Sequence, residues 1–275
     1  MTYGIPYMGS KNGIAEWVVA HLPPADVLVD AFAGGCAVTH AAILSGKYKH
    51  IIANDVSDAP QLFMDAATGK YDGNSEWISR DEFFLKKDSD PYIRYCWSFG
   101  NKGDSYMYSR EIEPYKEALH RLAFAGTPRE RMLAYGRCLR KFVSLAKDPS
   151  HPAELESLES LERLESLERL EVVRGDYRDI PIPTDCSVVV YCDPPYRGTE
   201  KYRGQDFDHE VFYAWLRTLT VPCVVSEYSM PDDFREIASR RKTVTLSATV
   251  NGHATERLYA LNYAPPVQGE LEMEP

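Results

Sequence analysis

Four consecutive residues, Asp193–Tyr196 with the sequence DPPY, combine an acid, two prolines and an aromatic ring directly after the apolar run SVVVYC. Proline fixes φ and lacks an N–H, so the pair ends a strand stiffly and holds the preceding Asp193 extended. The Asp193 carboxylate and the Pro194 carbonyl can then face one small pocket, with the Tyr196 ring beside it. Two acceptors and an aromatic face suit a planar substrate with an exocyclic NH₂ group, such as a nucleobase.

A glycine turn, DAFAGG, follows an earlier apolar run from Val27 to Phe32. Glycines there let the backbone approach a ligand closely, although the turn lacks the full G-x-G-x-x-G pattern. Asp55 follows about 20 residues later, where α/β cofactor domains place an acid that accepts hydrogen bonds from ribose hydroxyls. The alternative role for Asp55 is a helix N-cap or a turn. The alternative interpretation of DPPY is a plain turn with an exposed acid. The presence of the glycine turn and of Asp55 in the same chain makes this alternative less favoured.

The elements that must position these residues indicate an α/β fold. Apolar runs that end in polar residues alternate with stretches of helical spacing, as in a mostly parallel sheet. We expect one helix to stop at Gly46 and another to cover Glu210 to Leu219. The strand candidates are DVLVDA, HIIAND, LEVVR, SVVVYC, PCVVSE, KTVTLSATV and ERLYALNYA. Ligands bind beyond the carboxyl ends of such strands, and these ends carry Asp30, Asp55, Asp176 and Asp193.

The chain from Asp65 to Pro149 lacks this alternation of strands and helices and is rich in aromatic and charged residues. We interpret residues 65–149 as a largely helical insertion that splits a discontinuous core of residues 1–64 and 170–275. Residues 150–169 form a separate segment that carries most of a repeat, with a leucine at every third position from Leu155 to Leu170. Because a period of three falls about 60° short of a full turn per step, these leucines would spiral around an α-helix. We expect an irregular helix or a short stack that acts as a surface spacer.

The net charge of −10 argues at first against a polyanionic partner. The charges are unevenly distributed, however, because seven bases and one acid, Glu130, lie between Arg121 and Lys147. A local basic face can bind phosphates on an acidic molecule, and the alternative is a solvated basic helix. The candidate phosphate-binding residues are Arg129, Arg137, Arg140 and Lys141.

Composition narrows the class of protein. A hydrophobic content of 44% suits a globular protein with a sizeable core. No apolar run is long enough to span a bilayer, and the N-terminus lacks a secretory signal pattern. The six cysteines are scattered without a C-x-x-C pair, so we expect reduced thiols in a cytoplasm rather than disulfides or a zinc site.

The ordered motifs IPYMGSK, LVDAFAGG, ANDVS, GDYRD and VYCDPPY resemble those of the adenine-N6 DNA methyltransferases of the Dam (D12 class) family. The similarity continues through FDHEVFYAWL, VVSEYS and ATERLYALNY, and the middle stretch is similar to phage or prophage members. The resemblance implies a Rossmann-like core that uses S-adenosylmethionine, double-stranded DNA as partner, and neither metal nor membrane. It places the protein in the cytoplasm of a bacterium or of a phage-infected cell.

The resemblance also implies roles for individual residues. Those implied to bind the cofactor are Tyr7, Lys11, Asp30, Phe32, Gly34, Asp55, Asp176, Tyr177 and Asp193. Those implied to be catalytic are Asp193, Pro194 and Tyr196. The turn FAGGC departs from the commoner F-x-G-x-G, and YMGSK departs from W-x-G-G-K, so Tyr7 would stack where the family has tryptophan.

The implied reaction is methyl transfer to N6 of an adenine that has been flipped out of the duplex. Methylation of cytosine N4 is the nearest alternative, because that nitrogen is also an exocyclic amine. A DNA-binding protein without catalytic activity is an alternative from another class.

Overall fold

The computed structural model describes residues 2–124, 127–129, 132–133, 167–197, 207–247 and 250–264, with backbone only for 242–247 and 250–254. The chain divides into two compact units. The first comprises Met1–Gly4, Lys11–Pro60 and Glu165–Pro275, and the second Ile5–Ser10 and Gln61–Leu164. In these described ranges no helix is long and apolar enough to cross a membrane.

The first unit is built on a seven-stranded sheet with the order β3-β2-β1-β4-β5-β7-β6. The strands are β1 (Val27–Asp30), β2 (His50–Asp55), β3 (Leu170–Arg174), β4 (Val188–Cys192), β5 (Cys223–Glu227), β6 (Arg235–Ser247) and β7 (Val250–Leu261). β1 to β5 pair in parallel, and β7 pairs antiparallel with both β5 and β6. The order reverses between β1 and β4, where a doubly wound sheet opens a ligand crevice. The expected Rossmann-like α/β fold is confirmed.

Every residue of the central strands β1, β4 and β5 is buried. A parallel strand covered on both faces reads as a continuous apolar run, which is why VLVD, VVVYC and CVVSE lack alternation. Val29, Val190 and Val225 are fully buried in one core cluster, and burying each contributes about 1.5–3 kcal/mol. This rigid centre fixes the ends of the strands, where the polar side chains lie.

Two helices of the first unit flank β1 along the chain. α1 (Ala15–His21) is followed by α2 (Ala37–Ser45), which begins after Cys36 in a left-handed conformation and ends at Gly46 with φ 64°. The predicted stop at Gly46 is confirmed, since glycine adopts positive φ without a Cβ clash.

The helix predicted from Glu210 begins one residue earlier. The helices described between α2 and this one are α3 (Ala59–Ala67), α4 (Arg80–Lys86), α5 (Pro91–Cys96) and α6 (Glu113–Phe124). Among the described residues the later helix is therefore labelled α7 (His209–Thr218). The Asp208 carboxylate accepts hydrogen bonds from the N–H groups of Glu210 and Val211. Such an N-cap sets the start of a helix.

The second unit contains most of α3 and all of α4, α5 and α6. α4 begins with a capping box, in which Ser79 and Glu82 satisfy each other's backbone N–H groups. Asp90 caps α5, with Pro91 in its first turn. Most of the leucine repeat lies outside the described residues. Its described end is a single 3₁₀ turn, Leu167–Arg169, after which Leu170 opens β3.

Candidate functional site

Parallel strands direct their carboxyl ends toward one edge of the sheet, and the site is built there. Asp30 ends β1, Asp55 ends β2 and Asp193 follows β4. The β3 end leads through Gly175 to Asp176. The fold therefore carries these four predicted acids to the same sheet edge, within the first unit.

Asp30 is buried behind the glycine turn, with 1% of its surface exposed. Its Oδ2 accepts a hydrogen bond from the Thr39 hydroxyl of α2 at 2.7 Å. Burial raises the pKa of Asp30 to about 7, against a smaller opposing effect of the Thr39 hydrogen bond and with further raising by Asp193 and Asp55. Within the described part of the chain, Oδ1 of Asp30 has no hydrogen-bond partner.

The glycine turn is held by Asp55. Its Oδ2 accepts from the Gly34 N–H at 2.9 Å, and its Oδ1 accepts from the Ser57 N–H at 2.8 Å. Asp55 thus has the turn role that the sequence predicts as the alternative to ribose binding. Each carboxylate oxygen has a second lone pair, so the two roles are compatible.

A feature absent from the sequence reasoning is Gly4, whose backbone packs on the glycine turn. A Cβ on Gly4 would lie 2.2 Å from the Gly35 carbonyl oxygen and 2.7 Å from the Ala37 nitrogen. The Gly4 N–H donates to Nδ1 of His40, and burial lowers the pKa of His40 to about 4. A neutral imidazole is therefore the acceptor for this N–H.

Phe32 and Tyr177 form an aromatic wall beside the turn. Their ring centroids are 5.1 Å apart, and both rings pack on Phe212 of α7. Asp176, the neighbour of Tyr177, binds the guanidinium of Arg178 through both oxygens at 2.8 Å. This hydrogen bond lowers the pKa of Asp176. The structure thus gives Asp176 a local partner, and its expected place near the adenine of the cofactor stays a prediction.

The DPPY segment leaves β4 as the sequence suggests, and Lys11 lies against it. Lys11 Nζ is 2.7 Å from Asp193 Oδ1 and 4.5 Å from the centroid of the Tyr196 ring. Burial alone lowers the pKa of Lys11, but the charges of Asp193 and Glu256 outweigh this effect and raise it. The ammonium therefore stays charged although only 6% of the side chain is exposed.

Glu256 of β7 completes this cluster and was not predicted. It is fully buried, its Oε1 lies 3.4 Å from Lys11 Nζ, and the same oxygen accepts the Tyr196 hydroxyl hydrogen bond. Burial and the neighbouring carboxylates raise the pKa of Tyr196 well above its usual value, so the phenol remains a donor. The Tyr196 ring meets Tyr228 edge-on at 4.7 Å.

Glu227, at the end of β5, fixes the chain after Tyr196. Its Oε1 accepts the Arg197 N–H at 2.7 Å and its Oε2 accepts the Tyr228 N–H at 2.9 Å. Burial raises the pKa of Glu227, and the two backbone hydrogen bonds oppose that rise. The signal for this residue was present in the sequence, as an acid that ends the strand run PCVVSE.

The two proline carbonyls have different surroundings. Nε2 of His209 lies 3.0 Å from the Pro195 carbonyl oxygen. No hydrogen bond from the described residues ends on the carbonyl of Pro194, the one that sequence reasoning selected as an acceptor.

Other predicted residues lie in the second unit. Tyr7 packs its ring against Tyr95 at 5.3 Å, and its cofactor contact stays a prediction. Arg129 is exposed, whereas Arg137, Arg140 and Lys141 lie outside the described residues.

Comparison with solved structures gives methyltransferase-like chains at low similarity. The protein PH1948 of Pyrococcus horikoshii is 9% identical, with 92% of this chain and 85% of that chain covered and a TM-score of 0.39. The rRNA methyltransferase aviRa of Streptomyces viridochromogenes is 15% identical, with 90% and 82% covered and a TM-score of 0.36. Both scores are below 0.5, so the fold assignment rests on the strand order. Comparison with curated protein sequences gives no match.

A family model gives the decisive similarity. The model described as D12 class N6 adenine-specific DNA methyltransferase matches residues 7–214, which include the glycine turn, Asp55 and DPPY. The resemblance seen in the motifs is confirmed at the level of the family, and the phage or prophage subclass stays a prediction. The chain belongs to the D12 class N6 adenine-specific DNA methyltransferase family.

Proposed function

We propose that this protein transfers the methyl group of S-adenosylmethionine to N6 of an adenine flipped out of double-stranded DNA. The observation that carries the proposal is the placement of Asp193. Asp193 directly follows the buried strand β4 and precedes the stiff Pro-Pro pair, at the same sheet edge as the glycine turn. The Lys11 ammonium contacts both its carboxylate and the Tyr196 ring. An acceptor and an aromatic face in one place suit a nucleobase amine.

The residues at the glycine turn fit this cofactor. A buried carboxylate oxygen without a donor is costly, and Oδ1 of Asp30 is such an atom among the described residues. S-adenosylmethionine carries an ammonium and a sulfonium that can compensate it. We propose that the residues that hold it are Asp30, Phe32, Gly34, Asp55 and Tyr177. When bound, the cofactor supplies an electrophilic methyl group.

Asp193 and Pro194 act on the amine. The N6 lone pair is delocalised into the adenine ring, which makes the nitrogen a poor nucleophile. If the Asp193 carboxylate and the Pro194 carbonyl each accept one N6 hydrogen, the nitrogen becomes more tetrahedral and its lone pair is free. These hydrogen bonds strengthen toward the transition state, which is what accelerates a reaction. The nitrogen that gains the methyl group must lose one proton, which would leave along its hydrogen bond to the partly exposed Asp193 carboxylate and then to solvent.

Tyr196 holds the base. A base that is paired and stacked cannot present N6 to a pocket, so the adenine must leave the duplex. The Tyr196 ring is fixed by its hydroxyl bond to Glu256 and by its edge contact with Tyr228. A ring held at both ends offers a preorganised stacking face.

The test is a methyl-transfer assay with purified protein, labelled S-adenosylmethionine and unmethylated duplex DNA, followed by nucleoside analysis. We expect N6-methyladenine from the wild type and a loss of about 100-fold or more in Asp193→Ala, as for removal of a transition-state hydrogen bond. Asp233→Ala is the control, because this exposed acid pairs with Arg217. N4-methylcytosine would support the cytosine alternative, and full activity in Asp193→Ala would overturn the mechanism.

A further inference from the structure

Lys11 lies between two carboxylates of different strands. Its ammonium contacts Asp193 Oδ1 at 2.7 Å and Glu256 Oε1 at 3.4 Å. Lys11 and Glu256 are 6% and 0% exposed, while 18% of the Asp193 side chain reaches solvent. The cluster therefore has one face toward solvent, at Asp193, and Glu256 at its buried end.

This arrangement conflicts with the proposed reaction as it stands. An oxygen of Asp193 that accepts a hydrogen bond from an ammonium is a weaker acceptor for the N6 hydrogens, because the charge-assisted bond uses one lone pair and draws negative charge toward the ammonium. Moving Lys11 away without another partner would leave a buried cation uncompensated, which costs far more than a lost neutral hydrogen bond. A second carboxylate next to Lys11 removes that cost.

We propose that Glu256 is a positioning residue that takes over the Lys11 ammonium when the amine of the flipped base engages Asp193. The proposal rests on the proposed function and deepens it by assigning a role to a residue outside the range 7–214 that the family model matches. A small shift of Nζ from Asp193 toward Glu256 exchanges one charged partner for the other. Asp193 then keeps its charge and regains its acceptor capacity.

The position of Glu256 suits this task. It lies on β7, which is hydrogen-bonded to β5 on one side and β6 on the other, so its backbone cannot move freely. Its Oε1 also accepts from the Tyr196 hydroxyl, which couples the ammonium and the stacking ring to one oxygen. Across the sheet its direct partner is Arg240, which is exposed and makes no ion pair in the described part of the chain. Among the described residues, Lys11 is the cation that Glu256 contacts.

Substitutions at Glu256 separate charge from shape. Glu256→Gln keeps the size of the side chain and an acceptor for Tyr196 but removes the charge, whereas Glu256→Asp keeps the charge and shortens the reach. We expect Glu256→Gln to lower kcat by about tenfold or more and Glu256→Asp to lie between it and wild type, with saturating cofactor. A residue with only a structural role would give the reverse order, because glutamine is the better steric match.

The decisive variant is Lys11→Met in the Glu256→Gln background. In Glu256→Gln the Lys11 ammonium has Asp193 as its one carboxylate partner, and we expect this pairing to be the cause of the lower kcat. Removal of the ammonium should then raise kcat several-fold above that of Glu256→Gln. A further loss in the double variant, or a kcat of Glu256→Gln within twofold of wild type, would overturn the proposal.

Thermal unfolding of the same variants gives a measurement that needs no substrate. We expect Glu256→Gln to unfold at a lower temperature than wild type, because the buried ammonium loses one of its two carboxylate partners. The double variant should recover part of the difference, because a buried methionine needs no such partner. If the wild type makes no N6-methyladenine, that result contradicts the proposed function, independently of the unfolding temperatures. Equal unfolding temperatures for the wild type and Glu256→Gln would instead contradict the pairing of Lys11 with Glu256.

Discussion

The Gly34 backbone N–H donates to Oδ2 of Asp55 at 2.9 Å, which ties the turn after β1 to the end of β2. The other oxygen of Asp55 accepts from Ser57 at 2.8 Å, where the chain leaves β2. One carboxylate thus fixes two loops at the carboxyl edge of the sheet. Its loss should therefore affect folding as well as cofactor binding.

Asp55→Asn should lower the free energy of unfolding by about 1–3 kcal/mol, because asparagine has a single acceptor oxygen and leaves one backbone N–H without its partner. Urea denaturation without cofactor measures this effect, and calorimetric titration with S-adenosylmethionine measures binding. Weaker binding with unchanged unfolding would assign Asp55 to the ribose alone and contradict its role in holding the turn.

Gly4→Ala should destabilise the protein and weaken cofactor binding, because its Cβ would lie 2.2 Å from the Gly35 carbonyl oxygen. Gly46→Ala is a matched control at the other end of α2. Its φ of +64° is close to the +69° of Gly4, and nothing lies within 4 Å of its Cβ. The control isolates the strain of positive φ, about 1–2 kcal/mol.

The expected difference between the two glycines is measurable by thermal unfolding and by cofactor titration. Gly4→Ala should unfold at the lower temperature and lose affinity, whereas Gly46→Ala should bind the cofactor as wild type does. Equal effects in both variants would show that the turn does not depend on its close packing against Gly4.

The strands and the acids at their ends could be predicted from short stretches of sequence, because a parallel strand that is buried on both faces is a continuous apolar run. VVVYC is apolar at each position before Asp193, and the chain must then leave the sheet at Pro194. The cluster of Lys11 with Glu256 could not be predicted from local signals. It joins residues 245 positions apart, and a single glutamate inside a strand run such as ATERLYAL looks like an exposed position of an edge strand. The close approach of Gly4 to the glycine turn was equally hidden, since it is a long-range contact between backbones.

Glu227→Gln should lower kcat, because the amide can accept only one of the two N–H groups, of Arg197 and Tyr228, that Glu227 now binds. The chain directly after Tyr196 would then be less firmly held, and we expect a loss of about tenfold. The measurement is methyl transfer at saturating cofactor and DNA. Glu210→Gln is the control, because Glu210 contacts the Arg197 side chain at 3.6 Å and not its backbone. Similar losses of kcat in both variants would mean that the side chain of Arg197, and not its backbone N–H, is the group whose contacts matter.

Charge reversal at Arg137, Arg140 and Lys141 should weaken DNA binding and flatten its salt dependence. Each lost phosphate contact reduces the slope of log K against log salt by about 0.9. Fluorescence anisotropy with duplex DNA at several salt concentrations measures the slope, and Arg129→Glu provides a single-site comparison. A slope equal to that of wild type would move the DNA-binding face to another part of the protein.

Asp30→Asn should change how stability depends on pH. Burial is the main cause of the Asp30 pKa of about 7, compared with a usual value of 3.8. Between these values the native state keeps a proton that the unfolded state has lost, so this group stabilises the fold at low pH and its contribution falls as pH rises through 7. Asparagine cannot ionise, and its oxygen can still accept from Thr39.

The unfolding free energy of Asp30→Asn should therefore increase relative to wild type between pH 5 and pH 8, measured by urea denaturation without cofactor. Asp233→Asn is the control: Arg217 lowers the pKa of this exposed acid, so native and unfolded states are both ionised across that range and the difference from wild type should stay constant. Parallel pH profiles for Asp30→Asn and wild type would mean that Asp30 ionises as freely in the folded protein as in the unfolded chain. The buried oxygen without a partner argues against that outcome, because an ionised carboxylate there has no donor to replace water.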